Sequence, residues 1–193
     1  MSPAEYVLGF VAIIVGLAIT DLAQSLHKLL RARSRVRWHW YSFSAAFLLI
    51  LLTLELWWNL SFFERSDLSV TIGIFLPWLL GLILLYLLAS AALPDDVPAE
   101  GIDLKGYYFE QQRYFWLLYA SLLSFFLLQR IGVAWHLSGI EALPRVLWNI
   151  IPNLVLIALI ASLAFVRKNW WHGLWLLLLP LLMLAVLFNR PLM

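Results

Sequence analysis

Val70-Thr-Ile-Gly-Ile-Phe-Leu-Pro-Trp-Leu-Leu-Gly-Leu-Ile-Leu-Leu-Tyr-Leu-Leu-Ala-Ser-Ala-Ala-Leu93 carries no charged residue from end to end. A bilayer core about 30 Å thick is crossed by ~20 mostly apolar helical residues, and this run is long enough. Backbone polar groups in lipid must be satisfied internally, so a spanning segment is either a helix or a strand of a closed barrel. Barrel strands alternate apolar and polar residues over ~10 positions. This run does not alternate, and neither do Ala45–Leu52 and Leu174–Leu187. The stretch therefore predicts a transmembrane helix with Pro77 inside it.

The same criterion predicts five further spans, at about Ala4–Leu30, Trp38–Phe63, Tyr107–Trp135, Pro144–Val166 and Trp171–Phe188. The expected fold is all-α: a polytopic transmembrane bundle of six spans forming one domain over residues 1–193. Composition agrees. Of 193 residues, 64% are hydrophobic and 12% charged, against roughly 45–50% and about 25% in soluble domains. That excludes a water-soluble domain, and equally a disordered chain, which needs low hydrophobicity and high charge. A net charge of +2 is too small to make nucleic acid a partner. The absence of Cys excludes disulfides, thiolate metal sites and Cys nucleophiles. The first apolar run has Glu5 and no Lys or Arg on its N-terminal side and no small-residue cleavage site after it. It is read as a retained span rather than a signal peptide.

Basic residues set the expected orientation. The 1–2, 3–4 and 5–6 connections carry Lys28, Arg31, Arg33, Arg35, Arg37, Lys105, Arg113, Arg167 and Lys168. The opposite side carries Arg65, Arg130, Arg145 and Arg190. The richer side is expected in the cytoplasm and both termini outside. Of the loops, Pro94–Gly106 alone has room for function. It is acidic (Asp95, Asp96, Glu100, Asp103), and Pro94, Pro98 and Gly101 make it a turn-rich connector.

Aromatic residues mark both interfaces: Trp38, Trp40, Tyr41, Tyr107, Tyr108, Trp116, Trp170 and Trp171 on the cytoplasmic side, and Trp57, Trp58, Trp135 and Trp148 on the other. They act either as anchors or as a stacking surface for a headgroup. Arg31, Arg33, Arg35 and Arg37, followed by Trp38 and Trp40, form a polybasic aromatic turn. It serves as a topology determinant, as an anionic-lipid contact worth about 1 kcal/mol per basic residue, or as both. Pro77, Pro152 and Pro180 lie inside spans, as packing features or as hinges.

Charges inside a membrane cost at least ~2.5 kcal/mol on the most lenient scale and need a partner or a wet cavity. At 1.5 Å per residue, Glu55 lies about 25 Å from Trp38, and Arg130 about 24 Å from Tyr114. Both therefore fall in the outer third, with Asn59, Gln129, Asn149 and Asn153 in the same layer. An ion pair between Glu55 and Arg130 is expected there, as structural glue or as the lining of a cavity. Asp21 lies about 24 Å from Glu5, in the cytoplasmic third. It shares a helix face with Gln24, Ser25 and Lys28, beside a small-residue stripe of Gly9, Ala12, Gly16, Thr20 and Ala23 that would admit another helix. Asp21 either pairs with Arg113 or His172 or binds a cation or proton at a pore mouth. No pair of mid-membrane His offers haem ligation, and no catalytic or phosphate-binding motif is present, so no cofactor, metal or enzymatic activity is expected.

Arg35-Val-Arg-Trp-His39 before span 2 is similar to Arg145-Val-Leu-Trp-Asn149 before span 5, and spans 3 and 6 each hold one Pro. This suggests a 3+3 inverted repeat of the kind found in transporters. Gly16–Arg33 with Arg37-Trp-His-Trp40, and later Asp103–Phe109 with Arg113, resembles a family of small multi-span inner-membrane proteins of bacteria. The resemblance implies a bacterial inner-membrane location and no particular activity. The Phe-Ser-x-x-Asp signature of lysosomal-type potassium channels is absent before Asp21. The leading expectation is a homo-oligomeric channel or transporter for an ion or small solute, with Asp21, Gln24, Glu55, Asn59, Arg130 and Asn153 as pathway candidates. The alternative is a non-transporting protein that binds membrane lipids or a membrane partner.

Overall fold

A computed structural model describes residues 3–65, 72–138 and 143–189, with side chains over 8–58, 75–132, 148 and 150–189. Six helices make nearly all of it: α1 (Pro3–Arg31), α2 (Trp40–Arg65), α3 (Ile72–Ala92), α4 (Leu104–Ser138), α5 (Leu143–Phe165) and α6 (Asn169–Phe188). Each end lies within three residues of the expected span. Pro77, Pro152 and Pro180 sit inside α3, α5 and α6 as expected. Five helices contain stretches long and apolar enough to cross a membrane; the apolar stretch described in α5, Ile150–Phe165, is shorter.

The exterior is apolar. Ile13, Leu17, Leu80, Leu128, Leu177 and Leu182 are exposed large hydrophobics on four different helices. Soluble monomers rarely leave so much contiguous apolar surface to water, so the bundle is compatible with a multi-pass membrane protein. The interior is also apolar: Leu48, Leu49, Leu82, Leu88, Trp116, Leu122 and Ile160 are all but fully enclosed. Helix α1 packs on α3 and α2, α4 on α5 and α3, and α2 on α6. At the α3–α4 contact Gly81 admits the Phe125 ring, whose Cε1 would lie 2.8 Å from a Cβ at that position.

The buried row of α1 is Val11, Val15, Ala18, Leu22, Ser25 and Leu29. Within this chain no described helix packs on the small-residue stripe: Gly9, Gly16, Thr20 and Ala23 are exposed, and no atom approaches within 4 Å of a Cβ placed on Gly9 or Gly16. Turning the larger side chains inward buries more surface and forms more dispersion contacts than turning the small ones in.

One element was not expected in an all-helical chain. β1 (Val36–Arg37) and β2 (Ile102–Asp103) form a two-residue parallel pairing, with Val36 opposite Ile102 and Arg37 opposite Asp103. It joins the 1–2 connection to the 3–4 connection, so the acidic loop lies as a strap across the basic turn.

Candidate functional site

The strap, the basic turn and the starts of α2, α4 and α6 meet at one end of the bundle. Two short connections shape that end. Arg33–Arg35 forms a single 3-10 turn after α1 and delivers Val36 to β1. Opposite it, Gly101 has φ +91, a conformation that favours glycine. A Cβ there would collide with the Arg35 carbonyl oxygen, so the strap needs glycine for both its turn and its approach. Lys28 Nζ donates to the Asp95 carbonyl at 2.7 Å and to Asp96 Oδ1 at 3.1 Å, and so ties the strap to α1. Arg35 Nη1 reaches the Pro98 carbonyl at 3.5 Å.

The helix starts are capped from the same region. Asp103 Oδ1 accepts the Lys105 N–H at 3.1 Å, an N-cap for α4. His39, which precedes α2 in the connection, accepts the Tyr41 N–H on Nδ1 at 3.4 Å. Only a neutral imidazole can accept there. Burial holds the His39 pKa below its ordinary value, with the Lys105 charge acting in the same direction and Asp103 opposing it. The positive end of the α2 dipole also disfavours an imidazolium at that spot.

Beneath this surface lies a buried polar chain. Trp116 Nε1–H donates to Tyr108 Oη at 2.9 Å, and Tyr108 Oη lies 2.7 Å from His172 Nδ1. His172 Nε2 lies 2.7 Å from the Val166 carbonyl, which can only accept. The proton therefore sits on Nε2, Nδ1 is bare, and Tyr108 donates to it. Gln112 Nε2 donates to the Leu163 and Val166 carbonyls at 2.7 and 3.0 Å. Between them Gln112 and His172 satisfy carbonyls at the end of α5, which the helix cannot satisfy itself. Tyr41 Oη donates to the Asn169 carbonyl at 2.8 Å, Ser42 Oγ to Leu104 O at 3.0 Å, and Ser44 Oγ to Leu176 O.

This network corrects several expectations. Tyr41, Tyr108 and Trp116 are buried members of the core rather than interface anchors; their polar tips find partners inside, which frees the rings to pack. His172 has both ring nitrogens engaged and is fully buried. Arg113 is exposed and lies over the Phe165 ring, 5.5 Å from its centroid. Among the described residues neither of them pairs with Asp21. Asp21 is half-buried, and its Oδ2 is buried without a hydrogen-bond partner among the described residues. Gln24 beside it is exposed.

Of the polar layer expected on α2, α4 and α5, one contact is corrected. Glu55 is half-buried with contacts of its own, Arg130 is exposed on α4, and no Glu55–Arg130 ion pair is present among the described residues. A long arginine side chain near the end of its helix can carry its charged head to headgroup level, and that lowers the need for the pair. Asn153 is half-buried and engaged. The side chains of Asn59 and Asn149 lie outside the described residues.

The basic turn keeps its expected character. Arg31, Arg33, Arg35 and Arg37 are all exposed, as are Trp38 and Trp40. Trp38 stacks on Phe43 at 5.5 Å between ring centroids and 22° between planes. Trp40, the first residue of α2, packs against α6, 3.8 Å from where Gly173 would carry a Cβ. Both indoles are thus fixed while still presenting surface. Arg167, Lys168 and Trp170 are exposed at the neighbouring start of α6, so charge and aromatic rings extend round that end. Sequence reasoning missed the strap, Gln112 and the inward turn of Tyr108. No family model, curated protein or solved structure matches this chain, so its function rests on the chemistry of this end of the bundle.

Proposed function

We propose that the chain is a six-span protein of a bacterial inner membrane, with both termini outside, that holds anionic phospholipid at its basic end. The observation that carries this reading is the exposed row of Arg31, Arg33, Arg35 and Arg37 with Trp38 and Trp40, backed by the strap and by ring packing rather than left as a loose tail. Arginine suits phosphate because its planar fork of donors matches the oxygens, and indoles belong at headgroup level. The dense leucine interior supports a non-transporting role, since it leaves little room for a path within one copy. The 3+3 repeat stays within the proposal on its sequence match alone.

The test is binding in nanodiscs of phosphatidylglycerol against phosphatidylcholine. At about 1 kcal/mol per basic residue, replacing all four arginines by glutamine should remove most of the preference for the anionic lipid. Equal affinity of the wild type for both lipids would sink the reading. A cytoplasm-only reporter fused after Met193 should stay silent, and a strong signal would overturn the orientation.

A second reading keeps transport. Asp21, with a buried bare oxygen beside exposed Thr20 and Gln24, favours a path along α1 between copies of a homo-oligomer. It requires that wild type conduct protons, potassium, sodium or chloride in proteoliposomes and that Asp21→Asn lose flux without unfolding.

A further inference from the structure

We propose that the outer face of α1 seats one anionic phospholipid molecule, its phosphate at Arg31 and its glycerol and acyl region along Gln24, Thr20 and Ile19. This deepens the lipid-binding reading above and rests on it. The face carries a shallow, open groove lined among the described residues by α1 alone, through Ile19, Thr20, Ala23, Gln24, His27 and Arg31, with Lys28 beside them. Thr20, Gln24, His27 and Arg31 follow one helical face, about 16 Å from first to last at 1.5 Å per residue. The groove is therefore graded along its length. It is basic where α1 reaches the basic turn, amide and hydroxyl in the middle, and apolar below, which is the order of groups along a phospholipid.

Charge explains why the headgroup is anionic and why the occupant is a lipid. The strap takes Lys28, through Asp96 Oδ1 and the Asp95 carbonyl. Arg31, one helical turn on, is exposed with no partner among the described residues. A second copy is the rival occupant. Copies inserted in the same orientation would meet through a two-fold axis along the membrane normal, an isologous contact in which each residue faces its own level. Arg31 would then face Arg31. A phosphate neutralises what a second copy would repel. Below Ile19 the same face stays open, with no atom within 4 Å of a Cβ on Gly16, which leaves room for an acyl chain.

Native mass spectrometry of the full chain, released from detergent with phosphatidylglycerol or phosphatidylcholine added, tests this. The wild type should retain one phosphatidylglycerol at least tenfold more tightly than phosphatidylcholine. Ala23→Trp, at an exposed position, should fill the groove and weaken that one-lipid species at least tenfold with an unchanged melting temperature. Leu182→Trp, on the exposed face of α6, should leave it intact. If Ala23→Trp retains the lipid, the seat does not exist. If it converts a dimer to a monomer with lipid unchanged, a second copy occupies the face and the proposal is wrong. If Ala23→Trp keeps the lipid while the wild type still prefers anionic nanodiscs, the seat alone fails. If the wild type shows no such preference, the broader lipid-binding reading fails with it.

Discussion

Tyr108→Phe removes a single oxygen and isolates two buried groups. The Tyr108 hydroxyl accepts from Trp116 Nε1 and donates to His172 Nδ1, and both Trp116 and His172 are fully enclosed. Phenylalanine fills the same ring volume, so the change creates little cavity. The cost is therefore that of leaving an indole N–H and a ring nitrogen without partners, on the order of 1–3 kcal/mol each. The expected loss is about 2 kcal/mol or more, read as a shift in the denaturant midpoint in detergent with the slope unchanged. A double-mutant cycle with Trp116→Phe separates the two halves. The indole bond should show a coupling of about 0.5–3 kcal/mol, because once the hydroxyl is gone the indole has nothing left to lose. Stability within about 0.5 kcal/mol of wild type for Tyr108→Phe, or strictly additive single effects, would refute the assigned proton positions and the network with them.

Gly101→Ala should cost about 1–3 kcal/mol, because the residue is held at φ +91 against the Arg35 carbonyl; hydrogen exchange at Val36 and Ile102 should accelerate, and unchanged protection would show that the strap does not need glycine. Lys28→Gln should cost under ~1 kcal/mol, since the Lys28–Asp96 pair is exposed and screened; a larger loss would mean that the strap, not the helices, limits stability. His39 titrates with a lowered pKa and accepts the Tyr41 N–H only when neutral. The folded state therefore binds fewer protons than the unfolded one. Its contribution is fully present above the ordinary value of 6.5 and is lost as pH falls through the lower folded value. His39→Asn, which caps without titrating, should flatten the stability profile below pH 6.5; an unchanged profile would exclude His39 as its source.

The positions of the six helices were legible because uninterrupted apolar length is read directly from sequence. Which face of each helix turns inward was not. Helix α3 is apolar on every side, and the polar residues of α2 and α4 do not gather on one face, so periodicity has no polar face to set against the buried one. Tyr108 and Trp116 look like interface residues by composition, and only the arrival of His172 from α6 shows that they are core. The α1 stripe did not say which face meets the rest of this chain: small residues permit close packing, but they do not compel it when Val11, Val15 and Leu22 offer more surface on the adjoining face. The strap is non-local, pairing Val36 with Ile102, and two residues of pairing leave no signature that alternation could reveal. The basic turn was legible because exposure of four arginines in seven positions follows from charge alone.

The chain of bonds from Trp116 through Tyr108 to His172 also has an order in time. Synthesis runs from the N-terminus, so Trp116 and Tyr108 emerge on α4 well before His172 on α6. Until the last helix docks, the Tyr108 O–H on α4 lacks its acceptor, and the end of α5 lacks one of the two donors that cover it. A five-helix intermediate is thus chemically marked as unfinished in a way that the completed bundle is not. The docking of one histidine removes that mark.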